Sequence, residues 1–175
     1  APDLWEAWCN AFATANQAPF AGIISCNRPL DLPVAKAISE IFSEVIIAPE
    51  FASDARALLQ KKKNLRLMRA LQPVSPHDKP RMDVRSVRGG LLVQQKDASE
   101  LNQLETKVVT KRPPTQQEMA AMLFGWRVVK HVESNATVYA GADRTLGIGA
   151  GQLSRVDPSP IALWKAQEPG LSPPG

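Results

Sequence analysis

Short apolar runs alternate with amphipathic stretches through the first 70 residues, and this alternation constrains the fold more than any other feature of the chain. AGIISC (21–26) and VIIAP (45–49) are too short for helices and rich in β-branched residues, which predicts buried strands. Between and around them the period changes. DLWEAWCNAFATA (3–15) sets Leu4, Trp8, Ala11 and Phe12 at helical spacing. Asp31 precedes LPVAKAISEIFSE with Pro33 in the first turn, a favourable helix start. ASDARALLQKKK (52–63) reads as a third helix and NLRLMRA (64–70) as a third strand. Strand and helix in turn predict an α/β layer architecture.

The second half is punctuated differently. Residues 71–80 are proline-rich and read as a surface loop, and DVRSVRGGLLVQQ (83–95) as two strand segments around Gly89-Gly90. KVVTK (107–111) is a further strand candidate. Thr115-Gln-Gln-Glu118 has the capping-box pattern, followed by Met119, Met122, Leu123, Trp126 and Val129 on one helical face, expected to point into the core. ATVYA (136–140) and TLGIG (145–149) are strands joined by the turn sequence GADR, SPIALWKAQ opens a last helix, and residues 168–175 are expected to be a disordered tail.

At 175 residues the chain is long enough for one domain with a proper core or for one substantial piece of a larger protein. Its 44% hydrophobic and 22% charged content is that of an ordinary globular protein. No apolar run reaches the ~20 residues that span a bilayer, and no basic stretch followed by an apolar one heads the chain, so neither a membrane span nor a signal peptide is expected. The missing initiator methionine is read as a boundary or processing event. Cys9 and Cys26 are too few for a disulfide framework, and predict reduced, mostly buried thiols in a cytoplasmic protein. A net charge of +4 favours an anionic partner: a phosphorylated metabolite, a polyglutamate or nucleic acid.

Several chemistries fail on residue types. Zinc deaminases need His-x-Glu and Pro-Cys-x-x-Cys, and the two histidines and two scattered cysteines supply neither. Nucleophilic catalysis needs a base beside the nucleophile, and His77 and His131 offer no such pairing in sequence, with no Gly-x-Ser-x-Gly elbow. Gly147, Gly149 and Gly151 match neither a Walker loop nor the dinucleotide spacing, and read instead as a close approach of another backbone. Lys61-Lys62-Lys63 lacks the interleaved aromatics of a single-strand binding surface and reads as a helix end.

The window from His131 to Asp157 holds a Ser-Asn pair, a hairpin, alternating glycines and a Ser-Arg pair. With it stand, in chain order, Ala18-Pro-Phe-Ala-Gly-Ile-Ile-Ser25, Asn27-Arg-Pro, Glu44-Val-Ile-Ile-Ala-Pro49 and Lys61-Lys-Lys-Asn-Leu-Arg-Leu67. Gly89-Gly-Leu-Leu-Val-Gln94, Val109-Thr-Lys-Arg-Pro-Pro-Thr115, Val129-Lys-His-Val-Glu-Ser-Asn135 and Leu146-Gly-Ile-Gly-Ala-Gly-Gln-Leu-Ser-Arg-Val156 complete the series. The set resembles the family of bifunctional purine-biosynthesis proteins that join a formyltransferase to inosine monophosphate cyclohydrolase. The likeness lies in the formyltransferase part and runs from about Phe12 to Ala166.

The resemblance implies a cytidine-deaminase-like α/β fold, a mixed sheet with flanking helices and no zinc site. Residues 1–167 would hold the end of the first and much of the second of two such subdomains. The implied reaction is formyl transfer from 10-formyltetrahydrofolate to aminoimidazole carboxamide ribonucleotide in de novo purine biosynthesis, in a homodimer with composite active sites. Position by position, Asn135 and Arg155 match the family's nucleotide-binding Asn and Arg. Ala21, in the Phe-Gly-Gly position, and Glu44 match two further nucleotide contacts, and Val156 a residue touching the folate.

No catalytic residue is carried over, Asn135 being supporting. The family's Lys-His acid–base pair belongs to the first subdomain in a Lys-His-x-x-Pro context, and Lys130-His131 is read as structural. The Phe-x-x-Phe-Arg-Asp segment, the Arg-His-Phe end and the cyclohydrolase half have no match, and Ala21 adds a methyl where the family favours Gly. The chain alone is therefore expected to be inactive. The alternative reading is a catalytically inactive homologue acting as a binding or regulatory module. The expected partners are a small-molecule nucleotide and a folate, not nucleic acid or a membrane.

Overall fold

A computed structural model describes residues 1–14, 20–71, 82–97, 101 and 106–171. The predicted loop at 71–80, with His77, and the Ala18-Pro19 start of the first family segment lie almost wholly outside them. The order of elements is α1 (Leu4–Ala13), β1 (Phe20–Ser25), α2 (Leu32–Ser39), β2 (Phe42–Ala48), α3 (Ser53–Leu59) and β3 (Arg66–Arg69). There follow β4 (Met82–Val87), β5 (Gly90–Gln95), α4 (Gln116–Val129), β6 (Thr137–Ala140), β7 (Thr145–Gly149) and α5 (Pro158–Gln167). The chain is a mixed α/β protein: β1-β2-β3 form a parallel sheet, and β4-β5 and β6-β7 are two antiparallel pairs.

Local chemistry starts the first helices where the sequence predicts. The Asp3 carboxylate accepts the Glu6 amide at 2.7 Å, and Asp31 accepts the Val34 amide at 3.2 Å. Each satisfies one of the amides that a helix start leaves without an intrahelical acceptor. The parallel sheet needs crossovers, and α2 and α3 supply them. Leu30, Val34, Ala35, Ile38, Ile46, Ala48, Ala55 and Leu59 close together as a buried core between those helices and the sheet. Lys62, in the lysine run, donates from Nζ to the carbonyls of Ser39 and Ile41. It thus neutralises the negative end of α2 rather than extending α3, which runs only to Leu59.

In the second half the glycines do structural work. A methyl on Gly147 would stand 1.9 Å from the Ala162 carbonyl oxygen, and one on Gly149 would stand 2.0 Å from that of Pro158. Backbone therefore lies against backbone where β7 meets α5, as the sequence reading of these glycines expects. The Tyr139 and Ser159 hydroxyls lie 3.0 Å apart and tie β6 to the same helix.

Four sequence expectations are corrected here. Residues 107–111 form no strand: Val108 and Val109 face solvent, and no strand among the described residues pairs with them. No residue of α4 is buried, and Met122 and Trp126 are 52% and 56% exposed. The helix meets β6 on its Gly125 side, where an added Cβ would lie 3.3 Å from Ala140 Cβ, so the Met and Trp stripe is not core. Cys9 is exposed rather than buried, and Cys26 is half-buried. Residues 168–171, assigned to the tail, close α5: Gly170, at φ +77°, donates to Gln167 O, and Leu171 donates to Ala166 O. That is a Schellman cap, which satisfies carbonyls the last helical turn leaves open; residues 172–175 lie outside the described residues.

The capping box of α4 is present as predicted, with Thr115 Oγ1 accepting the Glu118 amide at 3.2 Å and Glu118 accepting the Thr115 amide at 2.7 Å. Arg112 adds a bidentate clasp on the same carboxylate, both bonds at 2.8 Å. Together these hold the Glu118 carboxyl at a pKa of about 2, the Arg112 hydrogen bonds first and Thr115 second. A depressed carboxylate pKa contributes stability that is complete above its ordinary 4.5 and is lost as pH falls through about 2. Acid titration followed by far-UV circular dichroism should show helix loss across that window, and Glu118→Gln should flatten it.

Candidate functional site

Two groups of residues stand out, one in each half. In the first half the β1–β2 register slips twice. Phe20 pairs with Phe42, Gly22 with Ser43 and Ile23 with Val45, so Ala21 is the extra residue on β1 and Glu44 the extra residue on β2. The two irregularities compensate, and the strands run in step beyond them. Such bulges re-aim side chains out of the ladder. Ala21 sits at φ +58°, among the described residues the non-glycine in the left-handed region, and Glu44 is exposed. Phe20 and Phe42 stack beside the bulge with centroids 4.7 Å apart.

A left-handed alanine costs roughly 1–2 kcal/mol, part of which glycine returns through greater freedom in the unfolded chain. Ala21→Gly should therefore stabilise the chain by up to about 1 kcal/mol, a rise in Tm of about 2–4 °C. Thermal unfolding of the two proteins measures it.

The second group surrounds the loop after β7. Asn135, just before β6, donates from Nδ2 to the carbonyls of Gln152 at 2.9 Å and Leu153 at 3.3 Å. Its donors are thereby committed to the loop, and Oδ1 is left as an acceptor. The loop folds on itself as well: Gln152 Nε2 donates to Ala150 O at 2.9 Å, and the Val156 amide donates to Ser154 Oγ at 3.2 Å. Arg155 projects from this pinned loop, exposed and with no side-chain partner among the described residues. On either side of it Leu153 and Val156 present bare apolar surface, Val156 being 74% exposed. The pinned carbonyls and the exposed Leu153 escape sequence reasoning, because nothing local marks a carbonyl as the acceptor of a side chain 17 positions upstream.

The structure thus brings Ala21 to Glu44 and Asn135 to the loop carrying Arg155 and Val156. No hydrogen bond or ion pair among the described residues joins one pair to the other. Lys130 lies 3.7 Å from Asp97 in an ion pair, and the His131 amide closes the end of α4 on Val128 O at 3.0 Å. Cys26 lines an apolar cavity of about 480 Å³ with Leu4, Trp8 and Phe20, between α1 and β1. Burial first, and the Asp31 charge second, push its thiol pKa up, the opposite of an activated nucleophile. Among the described residues no three His, Cys, Asp or Glu side chains converge on a metal position, and no helix is long and apolar enough to cross a membrane.

The molecule is therefore a mixed α/β protein with exposed charged groups at a strand bulge and on a pinned loop. The model of the family described as AICARFT/IMPCHase bienzyme matches residues 1–165. The chain belongs to that family. It is 59% identical over 171 residues to the bifunctional purine biosynthesis protein PurH of Chloroflexus aurantiacus, covering 98% of this chain and 33% of that protein. The PurH of Chlorobaculum parvum is 48% identical over the same length, covering 98% of this chain and 32% of its own. That of Magnetococcus marinus is 51% identical over 166 residues, covering 95% and 31%. The chain spans about a third of the length of the curated relatives it matches.

Proposed function

We propose that this chain holds part of the nucleotide site of a purine-biosynthetic formyltransferase. The reaction is transfer of the formyl group of 10-formyltetrahydrofolate to the amine of aminoimidazole carboxamide ribonucleotide. The observation that carries the reading is the Asn135 clamp, which leaves one amide oxygen as acceptor beside an exposed arginine on a fixed loop. The attacking amine is weak because its lone pair is delocalised into the imidazole and carboxamide. Asn135 Oδ1 accepts from an N–H of that system and fixes its rotamer, and Arg155 grips an oxygen or anionic group in its planar fork. Ala21 and Glu44 supply further nucleotide contacts, with the Ala21 methyl weakening the approach. Val156, with Leu153 beside it, offers the apolar contact that a flat folate ring needs.

The chemistry also requires a base for the amine proton and a cation for the tetrahedral oxyanion. Lys130 and His131 are read as structural, so the 175-residue chain alone is expected to give no turnover, and a second copy of it, having the same residues, does not change that. A cytidine-deaminase-like arrangement, a folate co-substrate and a cytoplasmic setting are parts of the same reading, as the family resemblance implies. The Ala21 methyl is the one observation favouring a non-catalytic binding module instead.

Nuclear magnetic resonance with the aminoimidazole carboxamide ribonucleotide as probe tests the site. Amide shifts should move at 133–136 and 150–157, and leave β4–β5 unchanged. Shifts confined to other regions would overturn the assignment.

A further inference from the structure

Helix α1 presents two working faces. Leu4 and Trp8 pack against the core under the parallel sheet, with Phe12 stacked on Trp8 at 5.4 Å. On another line of the helix stand Glu6, Asn10 and Thr14, four residues apart and so one above another. Two of these rungs bond the β6–β7 hairpin, Asn10 at Asp143 in its turn and Thr14 at Thr145, where β7 begins. Asn10 Nδ2 donates to Asp143 Oδ2 at 2.9 Å, and the Thr145 hydroxyl donates to Thr14 Oγ1 at 3.5 Å. The Arg144 guanidinium is clasped by Asp143 at 3.2 and 3.0 Å. Its pKa is raised by that hydrogen bond first, with the Glu6 charge a smaller contribution. Asn10 is only 6% exposed. A buried amide of that kind destabilises the fold unless its hydrogen bond is made. Among the described residues these two hydrogen bonds join residues 1–71 to residues 82–171.

We propose that Asn10 and Thr14 are a seat for the β6–β7 turn, and that Asn10 and Asp143 are positioning residues for the nucleotide site. The proposal rests on the reading above, in which the Ala21–Glu44 bulge and the Asn135–Arg155 loop serve one ligand. The hairpin works as a lever. Its turn is held on α1, its two strands are locked to α5, and its open end carries Asn135 and the loop after β7. Five residues of strand reach about 17 Å. A tilt of about 10° at the seat then moves the far end by about 3 Å, more than a hydrogen bond tolerates. The seat joins the half holding Ala21 and Glu44 to the hairpin holding the other two residues.

A charge exchange separates positioning from mere packing. Asn10→Asp sets a carboxylate against Asp143 and should unseat the turn. Adding Asp143→Asn restores a hydrogen bond with donor and acceptor exchanged and the charge of the joint unchanged. Nitroxide labels at Lys61→Cys and Arg127→Cys, in a Cys9→Ser/Cys26→Ser background, report the relation of the two halves. The distance distribution should broaden in Asn10→Asp and narrow again in the double variant. The dissociation constant of aminoimidazole carboxamide ribonucleotide should rise about tenfold and then recover, a 1.4 kcal/mol effect. A narrow distribution in Asn10→Asp, or a broadening that Asp143→Asn does not reverse, overturns the proposal. If the wild-type chain takes up no nucleotide, the nucleotide-site reading fails, and the label distances still decide the seat.

Discussion

Placing a methyl at Gly147 or Gly149 should lower the melting temperature by about 6–12 °C. The added Cβ would come within 1.9 Å of Ala162 O or 2.0 Å of Pro158 O, and both obstacles are backbone atoms of α5 that no rotamer change can clear. Overpacking a filled interior costs typically about 1–3 kcal/mol. A rigid helix backbone belongs at the upper end of that range, and 1 kcal/mol is about 2–4 °C for a chain of this length. The damage should reach function too, because α5 and β7 flank the loop that carries Arg155. Gly90→Ala is the matched control: its Cβ would meet nothing within 4 Å, so its melting temperature should stay with the wild type. Thermal unfolding of the three variants decides the matter. Equal losses at Gly90 and Gly147 would mean that close packing is not why Gly147 is a glycine.

Removing the Asn135 side chain should cost roughly 30-fold in nucleotide affinity. The two hydrogen bonds to Gln152 O and Leu153 O that pin the loop are each worth about 1 kcal/mol net, and 1.4 kcal/mol is a factor of ten in binding. Asn135→Ala leaves those carbonyls to water and frees the loop. Asn135→Asp should do worse, since a carboxylate has no proton to donate and faces two carbonyl oxygens. The melting temperature should fall by only a few degrees in either case, since the loop is exposed. An Asp variant that binds as well as wild type would show that the clamp does not prepare the site.

Much of the first half was legible because its signals are local. Asp31 announces a helix start by its own side chain, and the Ile and Val runs of β1 and β2 are short, branched and closed by turn residues. Glycines 147 and 149 were readable as a close approach, although only the structure identifies α5 as what approaches. What failed depended on neighbours distant in sequence. KVVTK has the composition of a strand, but a strand needs another to pair with, and Val108 and Val109 find none among the described residues. The Met and Trp stripe of α4 has core periodicity, yet periodicity cannot say whether anything covers the face.

The candidate site divides along the same line. Family likeness supplied Ala21, Glu44, Asn135, Arg155 and Val156 as residue types in order. It did not supply their setting. The paired register slips that single out Ala21 and Glu44 depend on hydrogen bonding between strands, and the left-handed backbone of an alanine leaves no mark in its own letter. The polar rungs of α1 were invisible for a similar reason: Asn10 and Thr14 at helical spacing look like a solvated face until the hairpin at Asp143 and Thr145 is seen resting on them.

The central claim is that the pinned loop after β7 binds a nucleotide through Arg155. Isothermal titration of aminoimidazole carboxamide ribonucleotide into the 175-residue chain tests it most directly, with Arg155→Ala alongside. The account predicts saturable binding by the wild-type chain, and its loss in a variant whose melting temperature is unchanged. Binding that Arg155→Ala leaves intact, or no binding by the wild-type chain, would contradict it.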